Sequence, residues 1–88
     1  MQSNIQQDAL KRLNYIEGHL DGIRRMIEQD TYCVDVLKQT YAVRKAIEKL
    51  EALLLEGHLQ TCVPDAIREE RTEQVVKEMV ELYQMAGR

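Results

Sequence analysis

Tryptophan and phenylalanine are missing from the 88 residues, and four tyrosines are the only aromatic side chains. The core must therefore be aliphatic, and a chain this short buries only a modest fraction of its surface, so self-association is the expected source of further burial. One proline, Pro64, leaves few breaks for loops, and three of the four glycines (Gly18, Gly22 and Gly57) fall inside helical pattern. Strand-like alternation is absent. No run reaches the ~18 consecutive apolar residues of a membrane span, and the opening MQSNIQQDALKR lacks the apolar segment of a secretory signal, so a cytoplasmic location without membrane contact is expected. In that reducing compartment the two cysteines are not expected to form a structural disulfide, which turns attention to metal or thiol chemistry. There is no Ser/His/Asp set and no glycine-rich phosphate loop, and residues 1–88 read as one domain, too small for a catalytic cleft beside a regulatory unit. An enzyme is not expected.

What is present is helical periodicity. Leu13, Ile16, Leu20, Ile23 and Ile27 recur at spacings of three and four, which predicts a first amphipathic helix over residues 5 to 28. The polar Gln29-Asp30-Thr31 is its stop, and Asp30 or Thr31 is the expected cap of a second helix reaching about Val63. That helix carries Val36, Thr40, Val43, Ile47, Leu50 and Leu54 on one face. Pro64 suits the first turn of a third helix, where its missing N–H costs nothing. The third helix is expected from Asp65 to Ala86, with Val75, Val76, Met79, Val80, Leu82 and Tyr83 on its apolar side. The tetrapeptide EGHL occurs at 17–20 and again at 56–59 without any surrounding repeat.

The second helix constrains the chemistry. If it is unbroken, Cys33 at its start and His58 near its end stand ~37 Å apart at 1.5 Å per residue. One chain cannot bring them together. At ~100° per residue, Cys33, His58 and Cys62 nevertheless project within roughly 40° of one another. An antiparallel pair of these helices would carry Cys33 of one chain to His58 and Cys62 of the other, twice per dimer. Two thiolates and one imidazole make a soft, three-coordinate donor set that suits Cu(I) and that Zn(II) would find incomplete. A thiolate at Cys33 would gain from the positive end of the helix dipole. Spacing alone slightly favours packing over metal binding, because free cysteine is among the most buried residue types. His19, with no other candidate ligand within four residues, reads as a residue flanking the apolar stripe.

The run RLNYIEGHLDGIRRMIEQDTYCVDVLKQTYAVRKAI, followed by LLLEGHLQTC, resembles the CsoR/RcnR family of metal-sensing transcriptional repressors across most of residues 9 to 63. The resemblance implies an all-α fold: a three-helix protomer, an antiparallel four-helix-bundle dimer, and a disc-shaped dimer of dimers. Copper sensors of that family have a Cys at the start of the second helix and His-x-x-x-Cys at its end, and Cys33, His58 and Cys62 match that spacing. It further implies that Tyr32 and Glu78 hydrogen-bond the ligand imidazole. Nickel and cobalt sensors use His near the N-terminus and at the last ligand position, and formaldehyde-responsive members lack the final Cys; this chain departs from both patterns. Persulfide-sensing members keep both cysteines without the histidine, so His58 favours copper and leaves persulfide as an alternative. A copper-binding helical protein that does not bind DNA is a second alternative, since it needs only the metal site.

DNA binding is not announced by composition, because the net charge is −3. The acidity is unevenly placed: residues 1–29 carry four basic and four acidic side chains, residues 30–63 four and five, and residues 64–88 four and six. On the second helix, Lys38, Lys45 and Lys49 fall within about 40° of one another, roughly opposite the apolar stripe. With Lys11 and Arg12 they form a candidate phosphate-tracking face for operator DNA; the plainer reading is a solvated face of i, i+4 ion pairs. The resemblance points to Arg12 and Lys49 for operator contacts, although relatives commonly carry Arg at the latter position and Lys cannot reproduce its bidentate fork.

Overall fold

The computed structural model describes residues 1–87. It consists of α1 (Ser3–Glu28), α2 (Cys33–Gly57), a π-helical turn (His58–Cys62), α3 (Val63–Arg68) and α4 (Thr72–Ala86), and no strand occurs among the described residues. The α1 and α2 helices form an antiparallel hairpin. Ile5 near the start of α1 meets Gly57 at the end of α2, and His19 is hydrogen-bonded to Gln39 midway along, Nε2 to Oε1 at 2.7 Å.

Two heptad columns run along each helix of the hairpin, and only one is used. Ile16 and Ile23, seven residues apart, are buried against Val43, with Val36, Ala46 and Leu50 packed around them. Leu13, Leu20 and Ile27, also spaced by seven, are 40%, 50% and 63% exposed. On α2 the inner column is Val36, Val43 and Leu50. Its companion column includes Ile47, which is exposed. The geometry is that of coiled-coil packing, in which two helices cover one seam and leave the adjacent seam open. The chain is correspondingly flat, with principal extents of 55 × 30 × 14 Å.

The chain reverses at the end of α1 through a Schellman motif. Asp30 adopts φ 57°, its N–H bonds the Ile27 carbonyl at 3.1 Å, and the Thr31 N–H bonds the Met26 carbonyl at 2.9 Å. Asp30 therefore ends α1 instead of capping α2, and Thr31 does not cap it either. The N-cap is Tyr32, which makes no side-chain capping bond. Asp35 supplies a carboxylate in the first turn, where the helix dipole favours it.

The remaining boundaries differ from the expected ones. The second helix keeps its α geometry only to Gly57; at His58–Cys62 the ladder widens to i→i+5, with the Val63 N–H bonded to the His58 carbonyl. Pro64 then occupies the first turn of α3. The helix expected from Asp65 to Ala86 is divided in two by a second Schellman motif. Glu70 takes φ 62°, with Glu70 N–H to Ile67 C=O at 3.1 Å and Arg71 N–H to Ala66 C=O at 2.7 Å. Glutamate in the left-handed region gives no sequence warning, because glycine or asparagine is the usual occupant. Ala66 and Val75 are buried around this bend, while Val76, Val80, Tyr83 and Met85 of α4 face solvent.

Glu70 offers a test of the bend. Gly in a helix interior costs about 1 kcal/mol relative to Ala, whereas relieving a left-handed side chain gains up to about 1 kcal/mol. Glu70→Gly should therefore leave stability unchanged or raise it in urea unfolding. A loss of about 1 kcal/mol would restore the continuous helix.

Candidate metal and nucleic-acid sites

Cys33 is the first residue of α2, and its thiol is free and exposed. His58 and Cys62 are the first and last residues of the π-turn. Cys62 is likewise free and exposed, and His58 is half-buried. Packing, the plain alternative for two free cysteines, is thus not what either thiol does within the chain. Cys62 has one polar neighbour: the Thr61 hydroxyl lies 3.8 Å from Sγ while also bonding the Gly57 carbonyl at 2.9 Å.

The fold separates these groups into two half-sites. A twenty-five-residue α2 spans about 37 Å at 1.5 Å per residue, so Cys33 and the His58/Cys62 pair sit at its opposite ends. Accordingly, no three His, Cys, Asp or Glu side chains come together within the chain to hold a metal ion, among the described residues. Tyr32 adjoins Cys33 and is 69% exposed. Glu78 lies on α4 and accepts a hydrogen bond from Gln74 Nε2 at 3.3 Å. His58 borders a cavity of about 490 Å³ between α2 and α4, lined also by Leu54, Leu55, Leu82 and Met85, and Glu78 is not among its walls.

The basic residues behave differently from one another. Lys11 and Arg12 of α1 and Lys45 and Lys49 of α2 line a single groove of about 390 Å³, together with Tyr15, Ala42 and Ala46. Lys38 is outside it. The groove lies between α1 and α2, with Lys45 and Lys49 on one wall and Lys11 and Arg12 on the other. Its floor exists because Ala42 and Ala46, four residues apart on one face, are too small to fill the space between the helices. Arg12 is paired with Asp8, Nε to Oδ1 at 3.8 Å. The ion pairs of the described residues include none of Lys11, Lys38, Lys45 or Lys49, so within this face the i, i+4 pairing is formed at Arg12 and not at the lysines.

Three features were not read from the sequence. Tyr15 carries no sequence signal of a role, yet its ring stands edge-on to His19 with centroids 5.8 Å apart. His19 is more than a flanking residue, since it joins α1 to Gln39 of α2. The Ala42-x-x-x-Ala46 pair beside Lys45 and Lys49 was the available signal for a groove.

Residues 5–85 match the family described as metal-sensitive transcriptional repressor. The chain is 42% identical over 73 residues to the copper-sensing transcriptional repressor CsoR of Mycobacterium tuberculosis, covering 83% of this chain and 61% of that protein. It spans less than two thirds of the length of the mycobacterial relatives it matches. With the copper-sensing repressor CsoR of Bacillus subtilis it shares 43% identity over 72 residues, 82% of this chain and 71% of that one. The fold superposes on the crystal structure of the copper-sensing repressor CsoR with Cu(I) from Geobacillus thermodenitrificans with a TM-score of 0.90 at 33% identity, covering 100% of this chain and 92% of that chain. The nickel-responsive transcriptional regulator InrS superposes with a TM-score of 0.73 at 34% identity, over 90% of this chain and 89% of that one.

The exposure of both thiols yields a direct expectation. Ellman's reagent should titrate Cys33 and Cys62 in the native, metal-free protein as rapidly as in the Cys33→Ala and Cys62→Ala single variants, each of which retains one thiol. A thiol that reacts only after denaturation would place that cysteine in a packed interior.

Proposed function

The chain belongs to the metal-sensitive transcriptional repressor family, and from that membership we propose that it is a Cu(I)-responsive repressor that binds operator DNA when metal-free and releases it when Cu(I) is bound. The observation that carries the choice of metal is the donor set. Cys33 and Cys62 are exposed free thiols, and His58 stands four residues from Cys62. Two soft sulfurs and one imidazole match Cu(I), and they fall short of the four donors of a closed zinc site. Fold alone does not select the metal, because copper-sensing and nickel-responsive proteins both superpose on this chain.

The site is completed by two chains. Cys33 from one protomer joins His58 and Cys62 from another in an antiparallel arrangement, and the uncovered column Leu13, Leu20 and Ile27 supplies the apolar seam for that pairing. The exposed face of α4 provides a second seam for a dimer of dimers. In this reading residues 1–88 act as one unit in the cytoplasm, carrying the metal site and the DNA surface together. The DNA surface is the groove lined by Lys11, Arg12, Lys45 and Lys49, and Lys38 is peripheral to it. Lys and Arg there neutralise phosphates, while sequence preference comes from DNA shape, since no recognition helix of a helix-turn-helix is present in the pattern.

Bound Cu(I) would supply a fixed junction between the thiolates of two chains. Cys33 and Cys62 provide most of the affinity. The imidazole of His58 has a second nitrogen to hydrogen-bond Tyr32 and Glu78, and the Glu78 carboxylate can accept such a bond beside the one from Gln74. His58 is therefore the coupling group, and coupling is reciprocal: DNA must weaken metal binding by the factor by which metal weakens DNA binding.

Anisotropy of a fluorescent duplex taken from the region upstream of the protein's own gene, at fixed salt with and without saturating Cu(I), tests the proposal. Parent protein should bind and then release. Cys33→Ala and Cys62→Ala should lose tight Cu(I) binding, and His58→Ala should retain appreciable Cu(I) binding yet release DNA poorly, with milder defects for Tyr32→Phe and Glu78→Ala. Full release by His58→Ala would remove the imidazole from the signal. If release follows a persulfide and not Cu(I), the inducer is a sulfur species. Duplex never retained under any condition would leave a copper-binding protein that is no repressor. Repeated over a range of salt, Lys45→Ala and Lys49→Ala should each lower the log–log salt slope by about 0.9, and Lys38→Ala should change it little.

A further inference from the structure

Gly57 precedes the π-turn and is buried. Its backbone, φ −61° and ψ −40°, is ordinary right-handed helix, which every residue type can adopt. Conformational freedom therefore does not explain a glycine here. What Gly57 contributes is the absence of a Cβ: an ideal Cβ would lie 3.0 Å from Cγ2 and 3.6 Å from Cγ1 of Ile5. Ile5 is only 6% exposed. The backbone of α2 thus packs closely on the Ile5 side chain, and a methyl group at 57 would require Ile5 to give way by a few tenths of an ångström.

The same glycine is tied to the candidate metal ligands. Its carbonyl accepts the Thr61 hydroxyl at 2.9 Å, Thr61 adjoins Cys62, and His58 follows in sequence. Ile5 lies on α1, and Lys11 and Arg12 of the basic groove come six and seven residues later on that helix, about 10 Å along its axis. A π-turn has a discrete neighbouring state, since restoring i→i+4 bonding changes the rotation of everything beyond it. Tightly packed contacts pass such a change as a rigid displacement because they cannot absorb it.

We propose that the Gly57–Ile5 contact is the positioning joint by which the His58–Cys62 segment sets the place of Lys11 and Arg12 relative to Lys45 and Lys49. The inference rests on reading His58 and Cys62 as ligands and the groove as the DNA surface. When His58 and Cys62 are drawn toward a thiolate of a second chain, Gly57 shifts against Ile5, and the opening turns of α1 shift with it. Lys11 and Arg12 then no longer match the phosphate spacing that they share with the α2 lysines. Neither Gly57 nor Ile5 touches metal or DNA; both act through position.

The test is a size exchange across the contact. Gly57→Ala crowds the joint and Ile5→Ala empties it. In the double variant Ile5→Ala/Gly57→Ala the two methyl carbons stand close to 3.7 Å apart, the distance from the Ile5 Cβ to the ideal Cβ at 57. For each protein, Cu(I) affinity, helix content by circular dichroism, and the ratio of duplex affinities without and with Cu(I) are measured. Each single variant should keep its Cu(I) affinity and lose about tenfold of that ratio, and the double variant should recover most of it. A purely structural role would lower duplex affinity equally in both states and leave the ratio unchanged. Single variants with the parent ratio, or a double variant as impaired as the two singles combined, overturn the proposal. Should Gly57→Ala fail to fold, Ile5→Ala decides by the same ratio. A parent that does not release duplex with Cu(I) overturns the functional reading and this joint with it.

Discussion

A hairpin of two helices can bury one seam, and each helix of this hairpin carries two. That mismatch governs the rest of the molecule. Ile16, Ile23 and Val43 close the inner seam with Val36 and Leu50 at its ends, and the heptad partners Leu13, Leu20 and Ile27 are left facing water. Each buried aliphatic side chain is worth about 1.5–3 kcal/mol, so an uncovered column of this length is a strong drive toward a second copy. The same straightness that creates the second seam also keeps Cys33 away from His58 and Cys62. In the proposed dimer one pairing covers the seam and completes the donor set, which makes assembly and metal binding consequences of one geometry.

Much of this was legible in the residues. The stripe at spacings of three and four gave α1 nearly to its ends, and the separation of Cys33 from His58 followed from counting residues along one helix. The bend between α3 and α4 was not legible, because Glu70 occupies a left-handed position that sequence reasoning reserves for glycine or asparagine. Asp30 and Thr31 both have the residue type of a cap for the following helix, yet neither caps it, and Asp30 terminates the preceding one. The π-turn left no signal in residue type, since HLQTC fits an α-helix equally well. Charge was half legible. A helical wheel groups Lys38, Lys45 and Lys49, but only the register of α1 against α2 shows that two of them meet Lys11 and Arg12 and that Lys38 does not.

Scaffold and donor chemistry decide different things. Family membership establishes a fold shared by copper-sensing and nickel-responsive proteins, which makes the scaffold neutral toward the choice of metal. The choice then falls to donor chemistry at three positions, where this chain offers sulfur, nitrogen and sulfur. The scaffold's contribution is mechanical: a thin body, 14 Å in its shortest extent, places the proposed ligand turn directly after the helix that supplies Lys45 and Lys49 to the basic groove.

The central claim is that the metal site belongs to two chains, and complementation between inactive variants tests it most directly. Cys33→Ala protein and His58→Ala/Cys62→Ala protein, each unable to bind Cu(I) tightly, are mixed, unfolded together and refolded, and mixed dimers are isolated by two different affinity tags. A dimer holding one of each should regain one tight Cu(I) site, because the intact Cys33 of the second variant faces the intact His58 and Cys62 of the first. If verified mixed dimers bind Cu(I) no better than either variant alone, the site does not bridge chains, and the geometry proposed for it is wrong.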